Sequence, residues 1–340
     1  AGLWATWCLI AAFYCLARWY WQGNYQFAMA VLGTVAVPLF VLSIPYVMWL
    51  DRRLVEPRDG AWHFGAMLVG REPFSRVEVG KHLRAWAVKG FFTAFMLSIV
   101  PPGFAYVVST PWSSIVHDAP RTAQLLMELM FVIDVQIGTV GYILTMRPLD
   151  AQIRSANPYV AGWLAALACY PPFILMGPDR PIFYETGTAG WAWWFAGQDA
   201  LLWTWAGLLV VLSGIYAWAT FAFGIRFSNL TYRGVLTNGP YRWTRHPAYL
   251  SKNAFWWLAV LPFLVTTGSV VDAVRNTFFL ALVSAIYFWR AKTEEKHLLA
   301  EDAKYRAYHA WMQDNALITR SGHRLWRWLL GRLDAAGFLR

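Results

Sequence analysis

Two short stretches carry side chains able to do chemistry. The first is Gly239-Pro240-Tyr241-Arg242-Trp243-Thr244-Arg245-His246-Pro247-Ala248-Tyr249-Leu250, polar, basic and aromatic at once, set between two very apolar runs. A segment that only joined two membrane helices would have no use for that composition, and it reads as the rim of a ligand pocket. The second runs from Arg290 through Glu294 and Glu295 into Leu298, Tyr305, Tyr308 and Met312. Arg290 and Glu294 are four residues apart, so a continuous helix puts them on one face, and the later residues continue roughly that face. Adjacent carboxylates suit a cationic ligand group, such as an ammonium, held by charge-assisted hydrogen bonds. Beside Lys292 and Lys296 they equally suit a solvated ion-pair face. Pro240 and Pro247 fix their own backbone and bias the preceding residue toward extended geometry. An extended segment would leave N–H and C=O groups free to meet a planar ring.

The elements that must position these residues are membrane helices. The 340 residues are 58% hydrophobic and only 14% charged, against about 25% charged in ordinary soluble domains. The apolar residues fall in blocks of about 20, enough to cross a hydrocarbon core about 30 Å thick. The expected fold is all-α, a polytopic transmembrane bundle of about eight spans with amphipathic cytosolic C-terminal helices. The spans fall near residues 3–21, 27–50, 87–109, 122–146, 159–176, 199–224, 250–266 and 273–291. Pro101-Pro102 should kink or break the third. The first residues form an apolar span rather than a cleavable leader. The 22 Trp and 16 Tyr fit interfacial belts.

The net charge of +10 sits in short loops beside apolar blocks, which points to a cytoplasmic membrane face and anionic lipid and away from nucleic acid. Basic residues gather in 51–86, 147–158, 225–249 and the tail, and are sparse in the alternate loops. With eight spans this puts both termini and the candidate site in the cytoplasm. The Arg-, Ala- and Trp-rich composition suggests a bacterial inner membrane, with an endoplasmic reticulum protein as the alternative. Cys8, Cys15 and Cys169 all lie in apolar runs without CxxC spacing, which reads as core cysteines and against a disulfide framework or a metal site. Three regions follow: a transmembrane scaffold or substrate-enclosing region at 1–198, a core with the pocket at 199–312, and a basic amphipathic interfacial tail at 313–340.

The pattern GPYRWTRHPAYL, then a helical hairpin, then Arg290-Ala291-Lys292-Thr293-Glu294-Glu295-Lys296-His297-Leu298 with Tyr305 and Tyr308, resembles the isoprenylcysteine carboxyl methyltransferases and the related phospholipid methyltransferases. The resemblance covers about residues 200–312. It implies an integral-membrane enzyme using S-adenosylmethionine, which would leave S-adenosylhomocysteine, and a lipid or other membrane-resident acceptor. It also implies a donor site of Tyr241, Arg245, His246, Pro247, Glu294 and Glu295, with Arg290, Tyr249 and Glu294 toward the chemistry. One departure stands out: the family usually has Gly two residues after the Tyr of RHPxY, and here Leu250-Ser251-Lys252 follows Tyr249. That change bears on the acceptor more than on the donor.

Arg290 could orient a carboxylate acceptor, or simply pair with Glu294. An amine acceptor would instead need a base, for which Glu294, His246 or a Tyr is available. Glu128, Asp134 and Gln136 stand in apolar surroundings, where charge is costly and usually faces the bundle interior. They suit either headgroup recognition or bonds between helices. Two other readings of the whole chain remain: a sterol-reductase-like enzyme using NADPH, against which two adjacent acids count, and a non-enzymatic lipid-binding or transport protein. The acceptor, the methylated atom and the oligomeric state stay open.

Overall fold

The computed structural model describes residues 1–70, 73–322 and Trp328. It is all-helical apart from one ladder of two-residue strands. In order come α1 (Gly2–Leu16), α2 (Tyr25–Asp51), α3 (Gly60–Val69), α4 (Arg76–Ser109), α5 (Trp112–Ile115), α6 (Ala119–Ile143), β1 (Ser155–Ala156), α7 (Val160–Leu167), α8 (Trp191–Trp194), α9 (Asp199–Phe223), β2 (Thr231–Tyr232), α10 (Pro247–Val260), α11 (Val270–Glu301) and α12 (Ala303–Asn315).

Among the described residues five helices are long and apolar enough to cross a membrane: α2, α4, α6, α9 and α11. The expected count of about eight is corrected by length. At a rise of about 1.5 Å per residue, the 15-residue α1 and the 14-residue α10 fall short of a core about 30 Å thick. The stretch 159–176 forms only the eight-residue α7. It ends at Leu167, ahead of Pro171-Pro172. With five long helices, the count no longer fixes on which face the two ends lie. Pro101 and Pro102 do not break α4, which runs through them. In lipid an interrupted backbone would expose unsatisfied groups, so continuing the helix is favoured. The loop expected at 51–86 also contains α3 and the first turns of α4. Exposed Val37, Leu39, Val41 and Leu42 on α2 are what a lipid-facing helix presents. Cys8 and Cys15 are exposed and Cys169 alone is buried, so two of the three are not core residues. Most of the basic tail, including 323–327 and 329–340, lies outside the described residues.

The chain divides into two compact units that interleave along the sequence, crossing the functional division proposed at residue 198. The first comprises Ala1–Val108, Val135–Pro158 and Ile225–Arg233. Its organising side chain is Arg233, buried at 4% exposure. The guanidinium donates to the carbonyls of Gly141 at 3.0 Å, Phe227 at 2.8 Å, Ile225 at 2.7 Å and also Ala151. It thereby fixes the strand pair in which Ser155 faces Tyr232 and Ala156 faces Thr231. Gly141 is needed there, since a Cβ would stand 2.7 Å from the Phe227 carbonyl oxygen. Arg233→Met should lower stability by about 3 kcal/mol, because several buried carbonyls lose a charged donor together. Thermal unfolding of the purified protein measures this.

The second unit comprises Ser109–Asp134, Tyr159–Gly224 and Gly234–Arg340. Within it α10 packs along α9 and against α11, while α7 also packs against α11. Leu280, Val283, Tyr287 and Arg290 recur at spacings of three and four on α11 and form its buried stripe. That stripe meets Cys169, Met176, Ile182 and Tyr184, with Tyr249, Trp256 and Trp257 packed on the cluster. The same face turns polar at both ends, with buried Asn276 before Leu280 and buried Thr293 and His297 beyond Arg290.

Candidate active site

The whole candidate site lies in the second unit. The stretch 239–250 is not extended as expected. Gly239 takes φ +57°, a conformation that escapes the bias imposed by Pro240. Gly239–Arg242 forms a tight turn, and Pro247 opens α10 as its first residue, where its missing N–H costs nothing. The turn is held to α9 by edge contacts of Trp218 with Trp243 and of Phe223 with Tyr241, at 5.5 and 5.2 Å between centroids. A Cβ on Gly239 would come within 3.3 Å of the Trp218 Nε1. These packings deliver Arg245, His246 and Tyr249 to the end of α11.

There the two acids part company. Glu295 is engaged by basic groups: Arg245 Nε donates to Oε1 at 2.7 Å, His246 Nε2 lies 3.0 Å from the same oxygen, and Lys292 Nζ donates to Oε2 at 2.8 Å. His309 Nε2 stands 3.8 Å from Oε2. Burial, followed by the Arg245 charge, holds the His309 imidazole below its usual range. Glu294 is engaged differently, by the Tyr249 hydroxyl and by Arg290 Nε at 3.3 Å. Its side chain is 22% exposed, against 6% for Glu295. Successive residues on a helix point about 100° apart; one acid therefore faces the RHP segment and the other the α11 stripe.

Arg290 has a side chain only 2% exposed. Its guanidinium lies 5.2 Å from the Tyr170 ring centroid and 5.1 Å from that of Tyr249, close enough for cation–π attraction. Nη1 donates to the Tyr170 hydroxyl at 3.3 Å. The His246 and Tyr249 rings stack, 5.7 Å apart and 8° from parallel. Arg245 carries one further feature: its Nη1 is buried without a hydrogen-bond partner among the described residues. A buried donor of that kind calls for an acceptor.

Leu298, Tyr305, Tyr308 and Met312 do cluster as the helical spacing implies, with Val235 and Ala316. The continuous amphipathic helix expected there is broken at Asp302, whose carboxylate accepts from Lys304 N at 2.7 Å and caps a new helix. The Tyr308 hydroxyl donates to the Tyr241 carbonyl at 2.8 Å. Burial pushes the phenols of Tyr241, Tyr305 and Tyr308 well above their usual range. All three are therefore neutral donors at physiological pH. Tyr308→Phe should cost about 1 kcal/mol in unfolding free energy and loosen the turn, as one buried hydrogen bond predicts. Calorimetry on the purified variant checks it.

All the expected site residues (Tyr241, Arg245, His246, Pro247, Tyr249, Arg290, Glu294 and Glu295) fall in this one region. Tyr170 and His309 are additions that the sequence did not suggest. His309 was findable, being four residues after Tyr305 on one helical face. Tyr170 was not, because 120 positions separate it from Arg290 and no periodicity spans such a gap.

The helices and this polar cluster define an all-helical integral-membrane protein with a charged site at the end of its longest C-terminal helix. Residues 205–300 match the model of the isoprenylcysteine carboxyl methyltransferase (ICMT) family. The resemblance is one of a segment: it takes in the RHP stretch, α10 and both glutamates, and stops before Tyr305. No curated protein and no solved structure matches the chain.

Proposed function

We propose that the protein is a membrane methyltransferase that moves the methyl of S-adenosylmethionine to a lipid or other membrane-resident acceptor. The observation that carries this reading is the closure of Arg245, His246 and Tyr249 onto Glu294 and Glu295, inside the segment that matches a methyltransferase family. The unpartnered Arg245 Nη1 fits the donor's carboxylate, and the exposed edge of Glu294 fits its ammonium. Tyr241, His246 and Pro247 would line the remainder. Glu295, already engaged by Arg245, His246 and Lys292, serves by holding Arg245 and His246 in place more than by touching the ligand. When bound, the donor supplies a methyl already activated by its sulfonium. The chain's task is then to orient an acceptor and keep water out, and Arg290 and Tyr249 lie on that side.

The basic residues of 225–249 support a cytoplasmic position for this site, and we assign the chain to a bacterial inner membrane. Calorimetry on the detergent-solubilised protein tests the reading. S-adenosylhomocysteine should bind at about micromolar Kd, in the common range for enzyme substrates, and NADPH should not bind. Tight NADPH binding with no response to S-adenosylhomocysteine would overturn it.

A further inference from the structure

Two ionisable side chains beside the candidate site, one buried and one half-buried, have no task in the reading above. Asp134, near the middle of α6, is 6% exposed, and its Oδ1 has no hydrogen-bond partner among the described residues. The hydroxyls of Tyr216 and Thr220 stand beside its carboxyl. Lys252, in the second turn of α10, directs its ammonium at three rings: Tyr216 at 5.3 Å, Trp256 at 5.2 Å and Tyr287 at 5.6 Å. Each side chain is within electrostatic reach of the other. Yet among the described residues the two form no salt bridge with each other. Opposite charges in an apolar interior attract strongly and gain by closing to contact. A buried carboxylate oxygen without a partner, with an ammonium in electrostatic reach, calls for a polar group.

The two charges select the group. A phosphate or carboxylate would meet Asp134, and an amine would meet Lys252. A hydroxyl satisfies both at once, donating to the carboxylate and accepting from the ammonium. The walls select what carries it. Tyr216, Trp256 and Tyr287 are rings in mutual reach, with Trp256 and Tyr287 in edge contact at 5.2 Å, and such rings suit an apolar or planar body. Tyr287 also touches Tyr249 edge-on at 5.6 Å, so a ring contact joins this place to the candidate site. The sequence marks the same place: Ser251 stands at the position where the resembling family has its glycine, and Lys252 follows it directly.

We infer that Asp134 and Lys252 form a subsite that takes the hydroxyl of a membrane-soluble alcohol or phenol, and so set the class of acceptor. This rests on the methyltransferase reading for calling that molecule the acceptor; the subsite itself stands on the geometry. The test uses the intact protein in nanodiscs and two matched probes, 4-nonylphenol and its methyl ether 4-nonylanisole, with binding followed by competition. The phenol should bind about tenfold or more tightly than the ether, since a site built around a hydroxyl penalises the analogue lacking it. Asp134→Asn and Lys252→Met should each bring that ratio close to one, with S-adenosylhomocysteine affinity within about twofold of the parent, a change small on the free-energy scale of binding. Equal binding of the two probes by the unmodified protein overturns the inference without any variant being made. So does an undiminished ratio in variants that still bind S-adenosylhomocysteine. Failure of the unmodified protein to bind S-adenosylhomocysteine would instead remove the methyltransferase reading, and the probe ratio would then decide the subsite by itself.

Discussion

Glu295→Ala is expected to destabilise the protein by about 3–5 kcal/mol, the usual cost of leaving buried charge without its partner, and to abolish S-adenosylhomocysteine binding. One carboxylate with a 6% exposed side chain balances Arg245, itself 9% exposed, together with Lys292 and the adjoining His246. Without it the buried Arg245 keeps its charge with no carboxylate beside it, and Arg245 and His246 lose the anchor that aims them. The proposed donor pocket, built on those two side chains, would then have no fixed shape. The double variant Glu295→Gln, Arg245→Met removes both sides of the main pair. It should recover much of the stability but not the binding, since removing both partners of a buried pair costs far less than removing one. Thermal unfolding and calorimetry on both proteins separate the two effects. A single variant as stable as the parent would show that the cluster is a solvated ion-pair face after all.

Arg290→Lys should lower methyl transfer by about 10²–10³-fold, the range seen when one preorganised donor is lost at a reacting centre, with S-adenosylhomocysteine affinity changed by about threefold or less. The substitution keeps the charge and loses the planar fork. Arg290 is clamped between the Tyr170 and Tyr249 rings and braced by Glu294, and a lysine ammonium cannot occupy both ring faces while also reaching Glu294. The measurement is transfer of labelled methyl from S-adenosylmethionine into a total lipid extract, alongside calorimetry. Equal losses of transfer and of donor affinity would make Arg290 a strut of the donor pocket. Unimpaired transfer would leave it as a plain helix-fixing ion pair.

Much of this was legible in the chain. The low charge content and the apolar blocks require helices in a membrane, because only there can every backbone group be satisfied within one segment. The four-residue step from Arg290 to Glu294 and the composition of 239–250 picked out both halves of the candidate site. Local sequence misjudged length and closure. Hydropathy registers an apolar stretch but not where a helix stops, so Val160–Leu167 and Pro247–Val260 read as full spans. The left-handed Leu261 after α10 (φ +50°) leaves no local trace, since nothing in a leucine calls for that backbone.

By itself, then, the amino-acid order settled the all-helical membrane class and the residue types that could bind a cationic or anionic ligand group, because hydropathy and helical period are local properties. Which glutamate is buried among basic groups and which keeps an open edge was decided by the tertiary structure. So were the stacking of Tyr170 against Arg290 and the stand-off of Asp134 from Lys252. These depend on how far a side chain on one helix is rotated and displaced from a neighbour distant in the chain, and that offset is a property of packing which no single segment encodes.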